Sequence, residues 1–186
     1  MSKNKPIEIL KEEHRAIKLM LRVLEKVCQK LEAGDELNPG HLLQIVDFIR
    51  GFADRCHHAK EENLLFPAMI DSGLPKEGGP LSVMLNEHQQ GRKYVREMEE
   101  AAQEYSRGSL SSSRKYAENA KNFISLLTQH IDKEDNILYE IARMHIPENK
   151  EKLLSVEFER VEREKIGVGV HEKYHYILKE MKRIYL

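Results

Sequence analysis

Hydrophobic residues recur along the chain at alternating spacings of three and four, the period of an amphipathic helix that buries one face. The first such stripe begins after Pro6 and ends before Gly34, and the second begins at Asn38 and Pro39 and runs to about Ser72. Proline in a first turn and glycine beyond a last turn are typical of helix boundaries. The pattern therefore predicts one helix from Pro6 and another from Pro39.

Two more stripes follow the glycine-containing loop after the second predicted helix. The third helix is predicted to begin at Pro80 and to end near Gly108, and the fourth to follow the serine cluster at 109–113 and stop before Pro147. Long helices joined by short loops favour antiparallel neighbours. The predicted fold is all-α, an antiparallel up-down four-helix bundle.

The pattern after about residue 147 predicts a C-terminal helical appendage that does not form a second hydrophobic core. A helix begins near residue 148, a hinge follows at Gly167 and Gly169, and a short terminal helix completes the chain. We expect residues 1–146 to form the bundle and residues 147–186 to form a helical segment that packs on it.

The composition is typical of a helical protein and argues against two classes of partner, nucleic acid and membranes. Of the 186 residues, 33% are charged and 40% are hydrophobic, and none is Trp. The net charge of -1, with Lys and Arg interspersed among Glu, provides no basic surface for nucleic acid. No stretch approaches the ~20 apolar residues of a membrane span, and the N-terminal residues lack an apolar signal-peptide core. We expect a cytoplasmic protein without nucleic-acid or membrane partners.

A histidine interrupts each of the four apolar stripes. These residues are His14, His57, His88 and His130. Burying an imidazole without a partner costs on the order of 1 to 3 kcal/mol, so four of them require an explanation. In an up-down bundle, the starts of the first and third helices lie at the same end as the finishes of the second and fourth. All four histidines therefore fall toward one end of the bundle, where they can converge on a metal.

An internal repeat adds carboxylates at this end of the bundle. HHAKEENLLF begins at His57, and HIDKEDNILY begins at His130. In each copy a glutamate follows the histidine by four residues, so Glu61 and Glu134 share a helix face with their histidines. A surface ion pair would explain one copy alone. Two copies that both open onto an apolar stripe favour a metal site.

The predicted site contains six nitrogen and oxygen donors: His14, His57, Glu61, His88, His130 and Glu134. This donor set suits iron or manganese, and carboxylates that can bridge indicate two ions. A structural zinc site would use four ligands and often thiolates, and two cysteines are too few for a thiolate cage. We expect two iron ions, with manganese or zinc as alternatives.

His58 competes with its neighbour His57 for a ligand role. On a regular α-helix, the His58 face is rich in charged residues and includes Glu62, whereas the His57 face is apolar apart from Glu61. This pattern predicts that His57 faces the metal and that His58 and Glu62 face solvent.

Two further histidines near the C-terminus are candidate additional ligands. His171 and His175 stand one turn apart in the terminal helix, after the predicted hinge. The segment begins near the end of the bundle that holds the metal layer, where it can cap that layer. His171 is the first candidate and His175 the second. The alternative is that both are ordinary packing or surface residues.

Four motifs of the chain also match those of a known family. They are EEH at 12–14, HHAKEENLLFP at 57–67, GPLSVMLNEH at 79–88 and HIDKEDNILY at 130–139. Over about residues 6–145 the chain resembles hemerythrin-like proteins, the HHE cation-binding domain group. The resemblance implies that the four stripe histidines are terminal ligands and that Glu61 and Glu134 bridge two irons.

The chain departs from the oxygen-carrying members of that group at two positions. Those carriers have a second histidine one turn after the first on the third helix, where this chain has Arg92, and they use Asp where this chain has Glu134. The resemblance then implies binding of oxygen, nitric oxide or peroxide for sensing or scavenging. One alternative is an enzyme of nitric oxide or peroxide reduction or of iron-centre repair. Another is a helical bundle with structural histidines or adventitious zinc.

Overall fold

The computed structural model of the protein describes residues 5–161, 163 and 169–186, and these residues form helices and turns but no strand. The four long helices expected from the hydrophobic pattern are present, close to their predicted ends. The helices are α1 (Pro6–Glu32), α2 (Pro39–Phe48, Ile49–His58, Glu61–Leu65 and Phe66–Ile70 in one continuous rod), α3 (Pro80–Ser106), α4 (Ser112–Lys133, Glu134–Leu138 and Tyr139–His145), α5 (Glu148–Val161) and α6 (Val170–Tyr185).

The helix ends have local causes that the sequence carries. Proline occupies the first turn of α1, α2 and α3, where its missing N–H has no intrahelical partner to lose. The Asn38 side chain caps α2 by accepting a hydrogen bond of 2.8 Å from the Gly40 N–H. Beyond α1, Gly34 adopts a φ of 86°, a left-handed conformation that favours glycine.

Both copies of the internal repeat interrupt their α-helix with π-helical turns. In α2 these turns cover Ile49–His58 and Glu61–Leu65, and in α4 they cover Glu134–Leu138. A π-turn closes its hydrogen bond over five residues and is therefore wider than an α-turn, and such turns occur often at functional sites. The side chains after each π-turn point in directions that a regular helical period does not predict.

The long helices pack side by side with neighbours running in opposite directions. Near the end of α1, Cys28 Sγ lies 3.7 Å from the backbone oxygen of Ala117 at the start of α4. Near the start of α1, His14 bonds to Asp135 toward the end of α4. α2 and α3 also run in opposite directions, because Glu62 on α2 bonds to His88 near the start of α3, whereas Arg50, earlier on α2, bonds to Glu99 further along α3. α3 also packs along α4.

The apolar core consists of two clusters separated by a polar layer. On α1, Leu10 belongs to the smaller cluster and Ile17 to the larger one, and the buried His14 lies between them. α2 and α3 follow the same order, with their predicted site residues between the two clusters. The polar layer is therefore enclosed by hydrophobic side chains on both sides.

Each C-terminal helix packs on a different core cluster. α5 contributes Leu154 and Phe158 to the smaller cluster, and α6 contributes Tyr174 and Leu178 to the larger one. Gly169 has a φ of 87° and precedes α6, as expected of a hinge residue, whereas Gly167 lies outside the described residues. Among the described helices, none has the length and apolar character needed to cross a bilayer.

Candidate metal centre

The six residues predicted to hold metal lie together in the polar layer. Each is exposed by 1% or less: His14, His57, Glu61, His88, His130 and Glu134. Buried ionisable groups require paired or ligating partners, because their transfer from water is unfavourable. The arrangement of their donor atoms therefore decides what the layer can bind.

Glu134 directs its two carboxylate oxygens toward histidines on different helices. Its Oε2 lies 3.3 Å from Nε2 of His14 on α1, and its Oε1 lies 3.1 Å from Nε2 of His130 on α4. One carboxylate thus connects two sets of nitrogen donors, which is the placement required of a ligand that bridges two ions.

Glu61 occupies the equivalent place on α2. Its Oε2 lies 3.7 Å from His57 Nε2 and 3.5 Å from His88 Nε2, so it also faces histidines of two helices. Its Oε1 accepts a hydrogen bond of 2.7 Å from the Tyr139 hydroxyl. Tyr139 is the last residue of the second copy of the repeat, and helical periodicity carries no signal for this contact.

The donor atoms form two groups that share Glu61. The first group is His58, Glu61, His88 and His130, and the second group is His14, His57, Glu61 and Glu134. Within each group, one donor atom from every residue lies within 4.8 Å of the others. Two clusters with a common carboxylate fit a pair of ions.

His88 and His130 show why this layer fits a cation. Their Nδ1 atoms donate to Glu62 and Glu87, so in the neutral rings their Nε2 atoms carry lone pairs. These two Nε2 atoms lie only 3.0 Å apart. Two lone pairs at this distance would repel each other, so this pair needs either a proton on one of the two atoms or a cation beside them.

Unpaired buried atoms lead to the same conclusion. Among the described residues, no hydrogen bond of good geometry reaches His57 Nε2, Glu61 Oε2 or either carboxylate oxygen of Glu134. A buried acceptor without a donor costs about 1 to 3 kcal/mol, and more when it is charged. Metal ions would satisfy all these atoms, because each is an electron-pair donor.

His58 corrects the prediction from the sequence, since it is buried and does not face solvent. It is 6% exposed, and its ring stacks on that of His88 with centroids 3.9 Å apart. The prediction assumed 100° per residue, but His57 and His58 close the π-helical stretch Ile49–His58, whose wider turns let both imidazoles point inward. The first group therefore contains a histidine that the period of a regular α-helix predicts to face solvent.

Glu62 was also predicted to face solvent, and it instead supports His88. Its Oε1 accepts a hydrogen bond of 2.6 Å from His88 Nδ1, and its side chain is 24% exposed. The other three stripe histidines likewise donate Nδ1–H to a carboxylate. The pairs are His14 with Asp135 at 2.8 Å, His57 with Glu13 at 2.9 Å and His130 with Glu87 at 2.9 Å.

These outer carboxylates fix the orientation of the four stripe histidines. A histidine that donates Nδ1–H to a carboxylate presents Nε2 to a metal in a fixed tautomer, and the carboxylate raises the basicity of the ring. The sequence contained a signal for two of them, because Glu13 and Glu87 directly precede His14 and His88. The other two, Glu62 and Asp135, directly follow Glu61 and Glu134 in the repeat.

A basic side chain contacts each outer carboxylate, which completes an approximate two-fold relationship. The contacts are Lys18 with Asp135, Arg92 with Glu62, Lys60 with Glu13 and Lys133 with Glu87. The relationship exchanges α1 with α3 and α2 with α4, so that Lys18 and Arg92 both stand four residues after a histidine of the layer. Arg92 thus contacts Glu62 from outside the layer, at the position that matches Lys18.

Burial and charge set the protonation of the layer. Burial, followed by the charge of His14, lowers the pKa of His57 well below its usual value, and burial next to His58 lowers the pKa of His88 to about 3. Burial opposes charging of His130 as well, but Glu134 and Glu87 raise its pKa. Neutral His57 and His88 are ready to bind metal, whereas a cation at the centre would replace the proton that His130 otherwise holds.

The carboxylate pair shows the same need for positive charge. Burial and the neighbouring charge of Glu134 raise the pKa of Glu61 well above its usual value. Burial would also raise the pKa of Glu134, but His130 and His14 lower it. Ions bound between the two carboxylates would stabilise both in the charged form.

The structure places His171 and His175 away from the six-residue layer. His171 Nε2 lies 3.1 Å from Cys56 Sγ, and these two residues form a third group of donors with Glu13. His175 is exposed, with its ring 6.0 Å from that of Phe52. Among the described residues, neither belongs to the first or second group.

A cavity of about 350 Å³ reaches the first group from the α2 and α3 side. His58 lines it, together with Asp54, Gly91, Arg92 and Phe123. A side chain at Gly91 would contact the Phe123 ring at 3.6 Å, so glycine leaves part of this volume open. The cavity offers space for a small molecule beside His58.

Comparison with known proteins identifies the family. Residues 5–142 match the model of the hemerythrin HHE cation binding domain. No curated protein and no solved structure gives a significant match. The matched stretch spans most of the 186 residues and contains both groups of donors. The chain therefore belongs to the hemerythrin HHE cation-binding domain family.

Proposed function

We propose that the protein holds two iron ions and uses them to bind oxygen, nitric oxide or peroxide for sensing or scavenging. The observation that carries the proposal is the pair of buried donor groups that share Glu61. Among the described residues, Glu61 Oε2 and both carboxylate oxygens of Glu134 lack hydrogen-bond partners. The four stripe histidines and His58 would be terminal ligands. Glu61 and Glu134 would bridge the ions.

The donor set supports iron. Both groups consist of imidazole nitrogens and carboxylate oxygens, which suit iron and manganese, whereas a structural zinc site is closed by four ligands. When bound and reduced, the iron pair would supply electrons and a coordination position for a small ligand. Manganese and zinc are the alternatives that metal analysis distinguishes.

The protein's own residues would exclude water and hold the ligands in place. The two apolar clusters enclose the layer, and the outer carboxylates fix the four stripe histidines. The cavity beside His58 would admit a diatomic molecule or peroxide. We include in the proposal the arrangement of α1 to α4 as an antiparallel up-down four-helix bundle, with residues 147–186 as its appendage, which the opposed directions of neighbouring helices support.

Metal analysis of protein from iron-supplied cells, paired with its visible spectrum, tests the proposal. We expect about two irons per chain, and severe loss of both in Glu61→Gln and Glu134→Gln. Glu118→Gln, on an exposed position of α4, is the control and should retain both irons. One zinc without iron in the wild-type protein, or two irons in the Glu134→Gln variant, would contradict the proposal.

Turnover distinguishes binding from catalysis. Stopped-flow mixing of the reduced protein with peroxide or nitric oxide should give one binding event per centre if the protein is a sensor or a stoichiometric scavenger. Sustained multiple turnover with an added electron donor would instead assign it to the enzymes. A spectrum that is unchanged by any of the three ligands would exclude both roles.

A further inference from the structure

The approximate two-fold relationship is broken at the layer of donor residues by one extra histidine. The first group contains three histidines, whereas the second contains two. The extra histidine is His58, which directly follows His57 in the first copy of the repeat. Its counterpart in the second copy is Ile131, an apolar residue of the core. By symmetry alone, the second group therefore has one terminal donor fewer.

A second break places a hydroxyl beside the second group. Tyr139 ends the second copy of the repeat, and Phe66 stands at the same place in the first copy. The two rings have equivalent settings. Tyr139 stacks on His14 with centroids 5.5 Å apart and 11° between planes, and Phe66 stacks on His88 with centroids 6.1 Å apart and 17° between planes. The hydroxyl is the main chemical difference between them.

The position of this hydroxyl fits a metal ligand. Tyr139 Oη lies 2.7 Å from Glu61 Oε1 and 3.4 Å from His14 Nε2, and both residues belong to the second group. Neighbouring ligands on one octahedral ion lie about 3 Å apart when metal–ligand bonds are about 2.1 Å. Tyr139 is completely buried, so water does not compete for its hydroxyl.

We propose that the phenolic oxygen of Tyr139 is the third terminal ligand of the ion in the second group, and that it supplies from a different position the third donor that His58 supplies in the first. This inference rests on the proposed function, because it requires the ion pair. Coordination displaces the phenolic proton to solvent. The two ions then differ, since one has three imidazoles and the other has two imidazoles and a phenolate. An oxygen-rich ligand set stabilises the ferric state of the second ion.

The test uses the 186-residue chain loaded with iron and oxidised. A ferric ion bound to phenolate absorbs visible light by charge transfer, and resonance Raman excitation in that band enhances ring modes of the bound tyrosine. We expect this signature in the wild-type protein. Tyr139→Phe should lose the signature by at least tenfold while iron analysis of the same sample still gives about two ions. The phenyl group of Phe66 shows that the fold accommodates this change.

Tyr116→Phe is the matched control. Tyr116 is also completely buried on α4, but it lies in the larger apolar cluster with its hydroxyl 3.4 Å from the Leu42 carbonyl. This variant should keep the full signature. Wild-type protein made with ring-deuterated tyrosine provides a second measurement that requires no variant, because its phenolate Raman bands should shift.

The outcomes separate this inference from the proposed function. Two irons without a phenolate signature in the wild-type protein would overturn the role of Tyr139 and leave the ion pair intact. A signature that persists in Tyr139→Phe would also overturn it. Wild-type protein without iron would overturn both proposals together.

Discussion

His58 stacks on His88 with ring centroids 3.9 Å apart and an angle of 18° between the planes. Because both histidines belong to the first group, we expect His58→Ala to reduce iron to about one ion per chain. His57→Ala should cause a similar loss in the second group. Elemental analysis after gel filtration measures both changes.

His145→Ala is the control for these substitutions. His145 is exposed at the end of α4, where its ring bonds to the Ile141 carbonyl. This variant should retain about two irons per chain. If His58→Ala also retained about two, His58 would be a packing residue and the first group would have two imidazole ligands.

The outer carboxylates should tune metal affinity without contacting the ions. Asp135→Asn leaves a group that can still accept from His14 Nδ1 but removes the charge that polarises the ring. Loss of such a supporting partner typically lowers metal affinity by about 10- to 100-fold. Chelator competition measures this loss. Asp132→Asn, exposed three residues earlier on α4, should change the affinity little. Equal affinities for Asp135→Asn and the wild-type protein would contradict this role.

The sequence was sufficient to predict the family and the six layer residues as one cluster. Helical period, proline at helix starts and the repeated His-x-x-Lys-Glu pattern are local features that residue order preserves. Four helices with one buried histidine each can satisfy those histidines only by bringing them together. The convergence of His14, on α1, with Glu134, on α4, followed from that constraint.

The features that the sequence did not predict depend on helix geometry and tertiary packing. The orientation of His58 follows from π-helical turns, and the hydrophobic pattern of a regular helix carries no signal for them. The position of His171 depends on how α6 packs across α2, where Cys56 meets it. Tyr139 is only the last residue of the repeat in the sequence, because the role of its hydroxyl depends on its distance from Glu61.

Cys28 should be unreactive in the folded protein and should make stability sensitive to alkaline pH. Burial, followed by the charge of Glu32, raises the pKa of its thiol to about 12. A thiol alkylates as the thiolate, so peptide mapping after iodoacetamide treatment at pH 8 should find Cys28 unmodified until urea unfolds the chain.

The sign of the stability effect follows from the direction of that shift. The folded state keeps the Cys28 proton to a higher pH than the unfolded state, so this contribution is fully present below pH 9 and is lost as pH rises toward 12. Cys28→Ala should therefore lose less stability than the wild-type protein between pH 8 and pH 10 in urea titrations. Rapid labelling of Cys28 in the native protein would contradict its burial.

The contact between Gly51 and Tyr174 should control how α6 docks. A Cβ added at Gly51 would lie 1.7 Å from Tyr174 Oη and 2.0 Å from Cζ, and the ring cannot retreat freely because it packs against Phe48 and Phe52. Gly51→Ala should therefore displace α6 and destabilise the protein by about 1 to 3 kcal/mol, as overpacking does. The same change in a Tyr174→Leu background should cost much less, and urea unfolding of the four proteins of this cycle measures the coupling.

Gly91→Ala is the control for Gly51→Ala, because it should raise the stability of the protein where Gly51→Ala lowers it. A Cβ at Gly91 meets Phe123 at an ordinary 3.6 Å, so alanine in the middle of α3 should stabilise the protein by about 0.4 to 1 kcal/mol.

Gly51→Ala also tests whether the C-terminal segment contributes to the metal centre. Because His171 contacts Cys56 and lies outside the first and second groups, Gly51→Ala should keep two irons and an unchanged visible spectrum while its unfolding midpoint falls. A variant that unfolds like the wild-type protein would contradict the steric argument. A variant that loses iron or shifts its spectrum in proportion to the displacement of α6 would instead make His171 part of the centre.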